Sequence, residues 1–418
     1  MTSLHVLVCA LALNATLQSA TPEAPGAQAG WTVQEIESPA THTAQTPNVV
    51  RGADGVVYMT WIETLADNSS SLRVALLDGE TFSPALEIVQ SKDLFVNWAD
   101  FPGVSALSDG TLLAYWLLRD GSKHGYSAEL SLSVDHGKTW SKARKLHDDL
   151  KSGEHGFVSV VPLNDSEFLA VWLDGRNIGE QASGNGAMRL LSRTVARDGT
   201  LGDELVIDER VCDCCQTSLT LGDAGVPLVA YRDRGTEEVR DISISFLRDG
   251  GWSKSKVVRD DGWLIQGCPV NGPQLASYGD KHGIAWFTGA GVGGGRVYAA
   301  FATGSATGDR GAFGFSFVID DGAPVGRVDL EFIDESRALV TWLEHIEGSH
   351  SEWRAKLVTL GSSAGEPFSL GRVPNERASG FLRMTSVPGG VVAAWTVSGK
   401  PSKLKVVRIS VPPKSSAR

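Results

Sequence analysis

Cysteine is scarce and unevenly placed: of five in the chain, Cys9 falls in an apolar leader and the other four crowd into two short segments. Confined in this way, they read as a built site rather than scattered core packing. Also missing is any uninterrupted apolar stretch of roughly twenty residues, the length a membrane-spanning helix requires. An excess of positive charge is missing as well, since the net charge is -11 and the first twenty residues carry no Asp, Glu, Lys or Arg. The mature chain therefore keeps nearly the whole acidic balance, which argues against nucleic acid or an anionic membrane surface as partner. No long stretch sustains a helical period either, so an α-helical architecture is excluded.

What the first residues do contain is Leu4 to Leu17 followed by small residues, the pattern of a secretory leader, although its start has no Lys or Arg. Cleavage after Ala20 fits, and Ala27-Gln28-Ala29 is the better small-x-small site, so 1–29 is assigned to the leader and 30–418 to the mature chain. The expectation is an exported monomer, periplasmic or extracellular, in a compartment where disulfides are permitted.

Short strands rich in Val, Leu and Trp recur with turn signals between them. One strand repeats with an aromatic near its end, at Trp61, Trp116, Trp172, Tyr231, Trp286, Trp342 and Trp395, at intervals of 55, 56, 59, 55, 56 and 53 residues. A near-constant period with several strands in each turn means a β-propeller of four-stranded antiparallel blades. Seven aromatics predict seven blades, with a six-bladed ring and one irregular repeat as the alternative. The segment Trp31 to Ile36 is placed to supply the outer strand that the last repeat, ending with Leu404 to Val411, lacks.

A second landmark, Phe82-Ser83, Trp140-Ser141, Trp252-Ser253 and Phe368-Ser369, opens a further strand in four of the repeats. One of these ends Ser133-Val134-Asp135-His136-Gly137-Lys138-Thr139-Trp140, which matches the Asp-box pattern S-x-D-x-G-x-x-W. With this motif and the repeat form, nearly the whole mature chain resembles the sialidase-like Asp-box (BNR) propellers.

Aligned on the aromatics, the segments leading into each repeat's first strand fall side by side on one mouth of the central channel. They bring Trp98 and Asp100, His155, Cys212, Cys214 and Cys215, Cys268 and Asn271, and Arg327 together from five blades. The loops after the aromatics add Glu63, Asp174, Arg176, Arg232, Arg234 and Glu344. A concave site crowded with Arg, Asp, His and Cys is where function is expected.

The resemblance implies a glycoside hydrolase of sialidase type acting on an acidic glycan or another small anionic ligand. In that family three arginines hold the sugar carboxylate, an Asp is the acid/base and a Tyr paired with a Glu is the nucleophile. Carried over, Arg176, Arg232, Arg234 and Arg327 would form the carboxylate cluster, with Asn271 and Trp98 as further substrate contacts and Asp100 or Asp174 as the acid. Three features depart from the family: sialidases have six blades, Thr41 to Pro47 lacks the family's first arginine, and Tyr231 occupies a core position.

For the cysteines three readings stand open. In an extended segment Cys212 and Cys214 face one way and Cys215 the other, and Cys268 is then a natural disulfide partner. Leftover thiols with His155 would suit copper or zinc, since thiolate and imidazole together bind those ions. A redox thiol is the third reading. Beside the glycan and metal readings stands a non-catalytic interaction scaffold.

Overall fold

The computed structural model describes residues 31–178, 186–291, 293–303, 313–362 and 364–411, so the expected leader lies outside the described residues. Seven antiparallel sheets form the chain, each built on a four-stranded path, and the six-bladed alternative is thereby excluded. Their inner strands, blades 1 to 7 in order, are Thr43–Arg51, Gly103–Ala106, His155–Pro162, Ser218–Leu221, Gln274–Tyr278, Pro324–Asp334 and Arg383–Val387. The ring closes in blade 7, where Thr32–Ile36 pairs with Lys403–Ser410, Thr32 opposite Ser410 and Ile36 opposite Val406. The first and last strands of the described residues thus share one sheet, which removes two exposed edges at once.

The repeated aromatics explain why seven blades pack. Trp61, Trp172, Trp286, Trp342 and Trp395 have no exposed surface, and Tyr231 and Trp116 almost none. Each lies in a hydrophobic cluster shared with the preceding blade: Trp395, for example, meets Trp353, Ala355 and Phe368, and Trp172 meets Leu130 and Ala128. A buried indole must still place its N–H. Trp61, Trp172 and Trp342 donate to Glu63, Asp174 and Glu344, each at 3.0 Å and each two residues further along the strand, where alternation returns a side chain to the same face. Three of the acids expected in mouth loops therefore serve as acceptors for the core.

The second landmark has an equally local cause. In blades 1, 2 and 4 the serine exchanges two hydrogen bonds with the third strand: Ser83 with Leu76, Ser141 with Leu132 and Ser253 with Phe246. In the Asp-box turn, Thr139 N–H and Oγ1 donate to the Asp135 carboxylate, Gly137 N–H donates to Ser133 Oγ, and Trp140 Nε1 donates to Gly137 O. The hydroxyl and amide donors of Thr139 and the Ser133 hydroxyl hold Asp135 down to about 2. Gly137 adopts φ of 85°, a conformation that favours glycine.

At the mouth the chain entering four of the seven inner strands carries a kink. Thr46, Phe157, Arg327 and Gly380 all stand fifteen residues before their blade's aromatic, and all have positive φ, 52°, 52°, 54° and 62°. The ladder slips beside the first three, between Gln45 and Asn48, Gly156 and Ser159, and Gly326 and Asp329. A left-handed non-glycine residue is unfavourable by about 1–2 kcal/mol and persists only where its surroundings hold it. Here the preceding blade does so: Thr46, Phe157 and Arg327 N–H groups donate to Thr396 Oγ1, Asp100 Oδ1 and Asn271 Oδ1.

Candidate metal centre at the channel mouth

Cys212, Cys214 and Cys215 converge, their sulfurs lying within 4.8 Å of one another. The alternation expected of an extended segment does not apply, because the strand ends at Val211 and the chain turns at Asp213 and Cys214. That turn returns Cys215 to Cys212, Sγ to Sγ 3.4 Å, and both are buried. From the lead-in segment of blade 5 the exposed Cys268 meets Cys214. All four are free thiols in the structure.

The surroundings of the cluster are polar and directed at sulfur. Arg240 Nη1 donates to Cys212 Sγ at 3.2 Å, and the backbone N–H of Asn271 donates to Cys215 Sγ at 3.4 Å. Hydrogen bonds from Cys214 and Cys215, with the Arg232 charge nearby, hold the Cys212 thiol well below its usual range. As donor to its neighbours, Cys214 is pushed up.

His155 is not part of this group. Its imidazole stacks on His147, ring centroids 3.7 Å apart, and its Nε2 lies 3.3 Å from Asp149 and 3.6 Å from Asp174. It stands opposite Asp174 in the sheet of blade 3, and that register turns its ring towards blade 2 rather than blade 4. Burial lowers its pKa despite the two carboxylates.

The four arginines do not assemble into a carboxylate clamp. Arg232 is 2 % exposed and donates to three backbone carbonyls, of Asn271, Arg240 and Phe287, while lying over the Trp263 ring. Arg327 donates to Gly380 O at 2.8 Å and stacks over Trp98, and burial with the nearby Arg377 charge lowers its pKa to about 10. Arg176 is bidentate to Asp174 and also bonded to Glu204. Arg234 is paired with Asp213 and Glu238. Each cation already has its acceptors, Arg232 and Arg234 at blade 4, Arg176 at blade 3 and Arg327 at blade 6.

The two candidate acids are likewise placed by the fold. Asp174 has no exposed surface; burial raises its pKa, but the Arg176 hydrogen bonds, His155 and the Trp172 N–H outweigh that and hold it below the ordinary carboxylate range. Asp100, 3 % exposed, accepts the Phe157 N–H through Oδ1, and burial pushes its pKa up to about 7. Its Oδ2 has no hydrogen-bond partner. Asn271 links blades 5 and 6 through Val325 O and Arg327 N–H. Trp98 stacks on Phe381, which also meets Phe101. These aromatics share one cluster with Phe157, Cys214 and Val270, so lead-in segments of five blades close over the mouth.

Sequence reasoning missed the charged residues inside the channel. Arg383, Asp329 and Glu331 line a cavity of about 500 Å³ to which all seven inner strands contribute. Asp329 accepts the Met384 N–H and lies 3.5 Å from Arg383. Burial and the neighbouring Asp329 push Glu331 up to about 8, against the opposing pull of Arg383. The signal was present: Val328-Asp329-Leu330-Glu331-Phe332 alternates acid and apolar along an inner strand.

No family model matches the chain, and no curated protein matches it. Among solved structures it is similar to the polysaccharide lyase Uly1, at 9% identity over 90% of this chain and 91% of that one, with a TM-score of 0.52. It is also similar to NanB sialidase from Streptococcus pneumoniae, at 11% identity over 91% and 94% with a TM-score of 0.46. A third likeness is an α-L-arabinanase from Penicillium chrysogenum complexed with arabinobiose, at 12% identity over 79% and 98% with a TM-score of 0.47. Such identities show a shared fold and leave the chemistry to the site itself.

Proposed function

We propose that the chain is an exported metal-binding propeller whose four cysteines hold one thiophilic closed-shell ion, zinc or cuprous copper, at the channel mouth. The observation that carries the reading is the convergence of Cys212, Cys214 and Cys215 within 4.8 Å, with Cys268 arriving at Cys214 from the next blade. Sulfur ligands suit both ions, and zinc with thiolates is four-coordinate at about 2.3 Å from each sulfur. Arg240 on Cys212 and the Asn271 N–H on Cys215 are the outer contacts that orient ligating sulfurs and temper their charge. Bound this way, the thiols of an exported protein would be withheld from oxidation. The acidic-glycan reading draws on the fold, since Arg176, Arg232, Arg234 and Arg327 already have acceptors within the protein.

Elemental analysis of the mature protein, purified without chelators, tests the proposal and tells the two ions apart. Zinc or copper near one equivalent, lost in Cys214→Ser and retained in His155→Ala, is the expected result. A metal-free protein whose intact mass shows two disulfides overturns it, and the cysteines are then covalent staples.

A further inference from the structure

We infer that the central channel is a binding site for a small uncharged polyhydroxylated ligand of monosaccharide size, entered from the face opposite the cysteines. The cavity of about 500 Å³ reaches the far ends of the inner strands at Arg51, Thr220, Ser277 and Glu331. That volume lies within the range of small-molecule sites. Towards the mouth it continues into a chamber of about 40 Å³, the two sharing Asn48, Tyr115, Ser159, Thr217, Gln274 and Arg383. Phe101 and Phe157 line that chamber, and their aromatic cluster closes over it, so the channel is blind at this end.

Two groups at the blind end await partners. Asp100 Oδ2 is buried without a hydrogen bond, and so is Nε of Arg383, whose Nη1 faces Asp329 at 3.5 Å. Buried polar atoms in native proteins are satisfied, and where the protein supplies no partner a bound molecule does. The shared amide and hydroxyl side chains come from different blades; Asn48, Ser159 and Thr217 donate to Pro102 O, Thr217 O and Phe157 O, and their oxygens retain acceptor capacity, which suits a molecule with hydroxyls on every side.

Charge selects among such molecules. Arg383 faces Asp100, Asp329 and Glu331 and already lies 3.5 Å from Asp329, while the other arginine of the lining, Arg51, stands at the far entrance, so a further anion finds no free cation at the blind end. A cation advancing to the blind end meets the Arg383 guanidinium. An uncharged polyol meets neither obstacle.

Titration calorimetry of the mature protein with glucose, galactose and arabinose, beside glucuronate and glucosamine, tests the inference. At least one neutral sugar is expected to saturate one site and to outbind both charged sugars. Glu331→Leu, which replaces an acid by an apolar group of similar length, is expected to weaken it about tenfold, the loss of one hydrogen-bonding partner. Ser277→Trp, which fills the lower channel, is expected to abolish it, with thermal melting of both variants confirming the fold. Absence of neutral-sugar binding, a preference for glucuronate or glucosamine, or wild-type affinity in both variants would each overturn the inference.

Discussion

The arginines and the cysteines belong to loops at the same mouth, yet the fold treats them in opposite ways. Every candidate arginine is saturated by its own blade or the next: Arg232 by three carbonyls, Arg327 by Gly380, Arg176 by Asp174 and Glu204, and Arg234 by Asp213 and Glu238. The cysteines meet chiefly one another. A charged residue in a crowded mouth is therefore weak evidence of a ligand site until its acceptors are known, because a folded chain satisfies buried cations first. Soft donors clustered without such partners are a better sign.

The sharpest way to break this contrast is to remove Arg232. If it is a structural tie, Arg232→Met leaves three carbonyls without their donor and lowers stability by about 3–5 kcal/mol, read by urea unfolding. A ligand-binding arginine would instead be removed at little cost to the fold, and an unchanged unfolding midpoint would return Arg232 to the glycan reading.

The cysteines supply the opposite case. Cys214→Ser is expected to abolish metal content and to lower the melting temperature of the metal-loaded protein to that of the chelator-treated wild type, since an ion bound only to the native state stabilises it by mass action. In the variant, added chelator is expected to change nothing. A variant that keeps its metal would move the site elsewhere.

Asp100 stands between these two kinds of residue, holding one backbone N–H through Oδ1 while Oδ2 remains free. Its pKa of about 7 in the folded state exceeds the unfolded value near 4, so the native state keeps a proton that the unfolded state releases. Its contribution therefore falls as pH rises from about 4 to 7 and is level above that. Asp100→Asn, which keeps the acceptor and cannot ionise, is expected to gain on the wild type between pH 4 and pH 8 in denaturation midpoints. Parallel midpoints for the two proteins across that range would show that the carboxyl does not titrate in this window.

Much of the fold was legible in the sequence because propeller packing is local and periodic. The spacing of Trp61 through Trp395 marks one interblade core per repeat, and Trp31 to Ile36 found its partner because the last repeat lacked a strand. Counting back from the aromatics also brought Cys212 and Cys268 to one mouth. The arginine partners were illegible for the converse reason: Gly380 O and Phe287 O acquire their positions only when two blades meet. The cysteine turn at Asp213 was hidden by the assumption that the segment stayed extended. Arg383 and Glu331 lie beyond the mouth, on inner strands whose channel-facing side is defined only when the ring closes.

The smallest effect sharpens the comparison from the exposed side. Arg234 is about one-fifth exposed and shared between Asp213 at 3.0 Å and Glu238 at 2.9 Å. Exposed and half-exposed pairs contribute about 0.2–1 kcal/mol, so Arg234→Ala is expected to cost no more than about 1 kcal/mol in urea unfolding. Unlike Arg232, it is then dispensable to the fold, and any function it has would show plainly. If the mouth is a carboxylate clamp, the variant loses affinity for a sialic acid or glucuronate probe while keeping its midpoint. If the pairing only ties the loops of blade 4 together, the probe fails to bind wild type and variant alike. Arg240, which donates to Cys212 and pairs with Glu238, links this ion-pair group to the sulfur cluster. Releasing Glu238 from Arg234 leaves it to Arg240 and Arg210, so a change in metal affinity in Arg234→Ala would mean that the arginines tune the cysteine site rather than bind a sugar.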